Sequence, residues 1–335
     1  MTTFKGEKGF EVETLASDPT TAGSIGKLYF NSAGNVFKYG TTGVGAWASG
    51  GNLNAVVKEG TGFGTSTAAV SVHGDPGPSK GDTETYDGTS WSEVAEMNHK
   101  RTSQGSGGAS SADGIVFGGG NPTPSIDTET WNGTGWTEVA DMNTARQYAM
   151  GANWGPSTAN LCYGSKGSAP ADLLNVESYN GTCWSEIADT ATARSGGMSS
   201  GIQTSALLIG GQVRPPNAAS VLVESWNGTA WSEVAEINNA RSKGGGAGVD
   251  NSSALVFGGT YAPSSPDFSV QTESWNGTAW TELTTTLAVG RNTTSSGGTA
   301  SSAIIMGGNT PPGGAGANTE EWTIPDIAIK TVATS

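Results

Sequence analysis

Five segments of this chain read almost identically: Glu84-Thr-Tyr-Asp-Gly-Thr-Ser-Trp91, Glu129-Thr-Trp-Asn-Gly-Thr-Gly-Trp136, Glu177-Ser-Tyr-Asn-Gly-Thr-Cys-Trp184, Glu224-Ser-Trp-Asn-Gly-Thr-Ala-Trp231 and Glu273-Ser-Trp-Asn-Gly-Thr-Ala-Trp280. The closing tryptophans are separated by 45, 48, 47 and 49 residues. A self-similar period of this size marks a supersecondary unit that cannot bury its apolar face alone and must stack against copies of itself. This constrains the fold more than any other feature of the chain.

Each unit continues the same way. Ser or Thr and a second Glu follow the tryptophan (Glu93, Glu138, Glu186, Glu233, Glu282), and an Arg stands 10 or 11 residues beyond it (Arg101, Arg146, Arg194, Arg241, Arg291). A glycine-rich stretch then leads into a short apolar run ending in Gly-Gly, as in Ile115-Val-Phe-Gly-Gly119 and Leu255-Val-Phe-Gly-Gly259; Tyr163-Gly164-Ser165 is the weakest copy. A Pro- and Ser-rich loop of variable length completes the unit.

Asn-Gly, or Asp87-Gly88 in the first copy, signals a hairpin turn with positive φ. The two aromatics of each segment lie five apart, so a loop of two residues or of four puts both rings on one face of the sheet. Each ring buries about 150–250 Å², worth roughly 4–6 kcal/mol as an upper estimate. Ten of the 11 tryptophans belong to this ladder, Trp154 being the exception.

Composition agrees with many short strands. Gly is 52 of 335 residues and charged residues are only 14%, which disfavours long amphipathic helices. The 16 basic and 30 acidic side chains leave a net charge of −14, so neither nucleic-acid binding nor attraction to an anionic bilayer is expected. No apolar run approaches the ~20 residues of a membrane helix, and residues 1–12 lack the apolar core of a secretory signal. Cys162 and Cys183 are too few for a disulfide scaffold and fall on separated strands.

Counting units predicts six four-stranded blades. Trp322 stands where a first aromatic belongs but has no partner five residues on, while Trp47, 44 residues before Trp91, has the second position without a first. The expectation is an all-β, six-bladed propeller over residues 45–325, its last blade taking three strands from the C-terminal region and its fourth from residues 45–49. A competing closure would use Ile324, Ile327 and Ile329 instead.

The Gly-Gly doublet after an apolar strand, the Tyr or Trp, the spaced Trp and the Arg entering the next blade resemble the Kelch repeat over about residues 45–323. That resemblance implies shape and leaves activity open. The N-terminus, Ala16 to Tyr39 followed by Gly45-Ala-Trp-Ala-Ser-Gly-Gly51, is similar to the short N-terminal module of tailed-bacteriophage fibre and other virion surface proteins, particularly Kelch-type proteins of marine phages. Within it, Lys27 to Asn31 and Val36 to Tyr39 predict a small hairpin around Ser32-Ala-Gly-Asn35, too small to stand alone.

Catalytic signatures are absent from the sequence. His73 and His99, the only two histidines, occupy ordinary repeat positions, and no His-Glu-x-x-His, Cys-x-x-Cys or Gly-Lys-Ser/Thr occurs. The paired glutamates recur in every blade with Arg to match, which suits a structural ladder better than a glycosidase's single carboxylate pair. Asp87-Gly88 are adjacent, unlike the spaced Asp and Gly of the sialidase Asp-box. Asn132, Asn180, Asn227 and Asn276 form Asn-Gly-Thr sequons that read as turn residues.

The resulting expectation is a non-enzymatic bacteriophage virion protein without cofactor or metal, made in the host cytoplasm. Residues 1–44 would anchor it to other virion proteins, residues 45–325 would form the displayed propeller, a tail-fibre type adhesin, and residues 326–335 a tail. A host surface glycan or outer-membrane protein would bind the variable loops around Asn121, Lys166, Arg214, Tyr261 and Asn309; several copies assembling on the particle is compatible with this. Trp47, Trp91, Trp136, Trp184, Trp231, Trp280 and Trp322, with the five arginines, would form the frame. The alternatives are a purely structural head or tail decoration, and an enzyme acting on host polysaccharide.

Overall fold

The computed structural model describes residues 12–19, 27–41, 43–75, 81–120, 122–168, 172–261, 268–324 and 328–332. The described residues are all-β, with no helix among them. They divide into two compact units, Trp47–Trp322 and a smaller one made of Met1–Ala46 with Thr323–Ser335.

The larger unit is built on six four-stranded antiparallel sheets, whose strands we label a to d. In the first sheet these are Thr61–Thr65, Ala68–Val72, Thr83–Tyr86 and Trp91–Val94. The a strands of the next five are Gly105–Ser110, Met150–Gly151, Met198–Ile202, Gly245–Ala247 and Ser295–Gly298. Successive a strands touch, and the last touches the first. The sixth sheet orders Ser295–Gly298, Ser302–Met306, Thr319–Thr323 and then Ala46–Ser49, so an N-terminal segment supplies its strand d. Of the residues proposed for a C-terminal closure, Ile329 lies in the smaller unit, Ile324 is exposed and Ile327 lies outside the described residues.

The b strands are buried on both faces, which explains their unbroken apolar runs. The a strands are glycine-rich because they approach one another closely. A Cβ on Gly246 would stand 2.3 Å from the Ser199 carbonyl oxygen, and one on Gly151 2.1 Å from that of Ser106.

The aromatic pairs face each other across the c–d hairpin in direct register, with centroids 4.8 Å apart for Tyr86–Trp91 and 5.4 Å for Trp226–Trp231. Each pair packs on the preceding sheet: Trp275 and Trp280 lie against Leu207, Ile209 and Val223. The hairpin loop holds four residues. Only its glycine has positive φ, near 90°, while the Asn or Asp side chain accepts two backbone N–H groups further on, as Asn227 does from Thr229 and Ala230. This side-chain bond replaces the second left-handed residue that a two-residue turn would need.

In the smaller unit, Leu28–Asn31 and Val36–Thr41 form the expected hairpin around Ser32 to Asn35, and Asn35 takes the left-handed conformation. The hairpin is widened on both edges. Glu13–Leu15 adds in parallel to one side, and Ala328–Thr331 adds antiparallel to the other. Residues expected as a C-terminal tail thus include a strand of this sheet, because an isolated hairpin leaves both edges unpaired. Asp18 accepts hydrogen bonds from Tyr29, Asn31 and Lys38, the last at 2.7 Å. The Lys38 bond holds the Asp18 carboxyl below its usual range despite the opposing effect of burial.

Candidate functional site

The repeated charged residues are frame. Arg101–Glu129, Arg194–Glu224, Arg241–Glu273 and Arg291–Glu320 pair at 2.8, 2.7, 2.5 and 2.5 Å, Arg146 pairs with Glu177, and these side chains are almost wholly buried. Burial pulls the Arg194 and Arg291 guanidinium groups below their usual range, opposed by Glu224 and Glu320. The second carboxylate oxygen of each Glu accepts a backbone N–H from the preceding d–a connection, such as Asn143 N–H on Glu177 at 2.7 Å and Asn238 N–H on Glu273 at 2.7 Å. One carboxylate therefore ties a strand c to the segment entering its sheet.

The first sheet departs from this scheme. Val57 occupies the arginine position, and the buried His73 Nε2 lies 3.0 Å from Glu84 Oε1 instead. Burial raises the Glu84 carboxyl, but His73 and Asn54 outweigh it and leave the group below its usual range. His99, by contrast, is half exposed between Asp127 and Glu138. The second glutamates, Glu93, Glu138, Glu186, Glu233 and Glu282, are all exposed. Cys162 is buried, with its thiol pushed up to about 12 by burial, Cys183 is exposed, and both are free.

The ladder tryptophans also link sheets by hydrogen bonds. The indoles of Trp47, Trp91, Trp136 and Trp184 donate to the hydroxyls of Thr272, Thr319, Thr83 and Thr128 on the preceding sheet. Trp231 and Trp280 meet Val176 and Val223 at that position, and their N–H groups have no partner.

Strands a and c begin, and b and d end, on one face of the larger unit, so the variable b–c loops and the d–a connections share it. Backbone bridges join the two sets, as between Gln147 and Lys166, Ser195 and Gln212, and Asn292 and Asn309. Lys166 lies in Ser165–Lys166, paired with Asp172–Leu173. Arg214 donates to Asp172 at 2.6 Å and to Ser195 at 2.6 Å, so the Lys166 and Arg214 loops meet at Asp172. Tyr261 bonds to Ser269 and Gln271 within its own loop, under the Arg241 guanidinium at 5.9 Å, and Asn309 pairs across a short hairpin with Ala315. No described contact joins these two to the Lys166–Arg214 pair. Asn121 lies outside the described residues.

At the centre of this face stands a feature the repeat analysis missed. Glu59, Ser103, Tyr148, Gly196, Lys243 and Thr293, one from each d–a connection, all have φ between 51° and 59°. Their backbones form a closed circuit: Ser103 N–H donates to Glu59, Tyr148 to Ser103, Gly196 to Tyr148, Lys243 to Gly196, Thr293 to Lys243 and Glu59 to Thr293, at 2.6–3.0 Å. The left-handed conformation costs a non-glycine residue about 1–2 kcal/mol, most for a β-branched one like Thr293. The closed circuit holds it in place. The sequence signal was present: these are the residues two positions past each ladder Arg, or past Val57, and their identities do not repeat.

The six ring residues line a pocket opening into a polar channel between the a strands. Lys243 Nζ lies 5.3 Å over the Tyr148 ring. Burial lowers the Lys243 ammonium, countered by the charge of Glu59 and reinforced by Arg214. Deeper down, Asn153 donates to both Ser199 and Gly246 carbonyls at 3.0 Å, bridging three sheets. No cluster of three metal-ligating acidic, His or Cys side chains exists among the described residues.

No family model matches the chain, and neither does any curated protein. A solved structure described as that of YjhT superposes with a TM-score of 0.67 at 15% identity, covering 83% of this chain and 99% of that one. At this identity the likeness concerns fold alone, a Kelch/β-propeller-like fold.

Proposed function

We propose that the six sheets are the blades of a closed propeller of Kelch type, its ring completed by Ala46–Ser49, and that this propeller is the displayed head of a bacteriophage virion surface protein. In this reading the loop face recognises a host surface glycan or protein, and the smaller unit, residues 1–44 with the C-terminal strand, attaches the protein to the particle. It is a binding role and requires no catalysis.

The observation that carries the recognition role is the segregation of variation. Buried Glu, Arg and Trp repeat around the ring, whereas the b–c loops and the six ring side chains differ from sheet to sheet and share one face. A rigid frame that gathers its variation on one face suits an adhesin. The virion assignment itself rests on the N-terminal resemblance.

Electron microscopy of the producing particle with gold-labelled antibody against the larger unit tests this. Label at tail fibres or tips is the expected outcome. Label over the capsid or tail tube would favour decoration instead, and unlabelled particles would overturn the virion reading.

A further inference from the structure

The channel mouth presents a cation that no anion is bonded to, although the Glu59 carboxylate acts on it through space. Lys243 carries three N–H donors into the pocket, yet among the described residues no acceptor or carboxylate lies within bonding distance of Nζ; its one close partner is the Tyr148 ring. The neighbouring guanidinium of Arg214 differs, since its fork is already taken up by Asp172, Ser195 and Gln212. A partly desolvated ammonium whose N–H donors are not taken up is costly, and Glu59 offsets this only through space, so acceptors that reach Nζ are favoured.

The other ring side chains limit what that anion can be. Among the described residues the Glu59 carboxylate accepts one long bond, from Ser103 Oγ at 3.4 Å, so it has acceptor capacity for hydroxyl donors while repelling a ligand with charge on that side. Ser103 and Thr293 add hydroxyls to the lining, and the Lys243 stem packs close over Gly196, where a Cβ would stand 3.3 Å from Lys243 Cγ. The net charge of −14 opposes anions at long range, so attraction must be local and tied to hydroxyl recognition. A simple oxyanion would use Lys243 alone, and a neutral sugar would leave it unpaired.

We propose that the channel mouth is a binding site for an acidic monosaccharide unit of the uronate class, its carboxylate on Lys243 and its hydroxyls on Glu59, Ser103 and Thr293. One such site exists per chain, because the ring side chains do not repeat. The inference rests on the attachment reading only for the expected source of the sugar, a host surface polysaccharide.

Isothermal titration calorimetry of the full chain with D-glucuronate, D-glucose and sodium acetate tests it. Glucuronate is expected to saturate one site per chain at least about tenfold more tightly than either control, and Lys243→Met to weaken it by about tenfold or more at an unchanged melting temperature. Acetate binding as tightly as glucuronate would reduce the site to a simple anion site, glucose binding as tightly would remove the role of Lys243, and no glucuronate binding would remove the site; each overturns the proposal. The comparison of the three ligands decides on the unaltered protein, so it stands even if the Lys243→Met variant fails to fold. Particles that carry label while the protein ignores glucuronate would retain the attachment reading and lose this site; glucuronate binding by a protein absent from particles would do the reverse.

Discussion

The indole contacts show how finely the repeat is tuned. Four ladder tryptophans donate to a threonine hydroxyl of the preceding sheet, and the two that face Val176 and Val223 keep an unpaired N–H. Thr128→Val should orphan the Trp184 N–H and cost about 1–2 kcal/mol, whereas Val223→Thr should be neutral or stabilising because Trp280 gains an acceptor. Midpoints of urea unfolding for the two variants check the contrast. A pH effect belongs to the same scale. The folded-state pKa of Glu84 lies below its unfolded value, so its contribution is complete above the unfolded pKa and is lost as pH falls through the folded one. Stability measured from about pH 6 to about pH 3 should therefore fall less steeply in His73→Gln than in the natural protein, since the substitution removes part of what depresses Glu84.

Within a sheet, the buried Arg–Glu pair and the exposed second glutamate face opposite consequences although both recur in every full copy of the motif. Glu224 and Glu233 are direct cross-strand neighbours, yet only Glu224 is buried against Arg194. Arg194→Met should destabilise by about 3–5 kcal/mol by leaving Glu224 uncompensated in the interior, while Glu233→Gln should change stability by no more than about 0.5 kcal/mol. Chemical denaturation of both separates frame from surface. Recurrence of both glutamates alongside an Arg suggests one shared structural role; burial, which depends on the neighbouring d–a connection, separates them.

At the scale of the molecule, ring closure depends on residues far apart in sequence. Trp47 packs on Phe257 and Trp322 and donates to Thr272 at 2.9 Å, so strand d of the sixth sheet holds its own sheet and the fifth together. A chain beginning at Gly45 should keep the larger unit folded, whereas one beginning at Gly50 should melt at markedly lower temperature and self-associate through the exposed edge of Thr319–Thr323. Calorimetric melting and size-exclusion chromatography of the two truncations distinguish these outcomes.

The sequence alone determined what is local or repeated: strand positions within the repeat, the hairpin around Asn-Gly, the facing of aromatic pairs, and the lack of a fourth strand in the sixth unit, for which the Trp47 segment and the C-terminal isoleucines compete. Periodicity and turn chemistry act over a few residues, so they survive in a one-dimensional reading. Tertiary structure decided what depends on bringing distant segments together. It placed Ala328–Thr331 on the N-terminal hairpin, joined the Lys166 and Arg214 loops at Asp172, substituted His73 for the arginine missing at Val57, and assembled Glu59, Tyr148 and Lys243 at one channel mouth. Those side chains stand about one repeat apart or more, and non-repeating residues leave no periodic signal; only the contact of successive a strands brings them to one mouth.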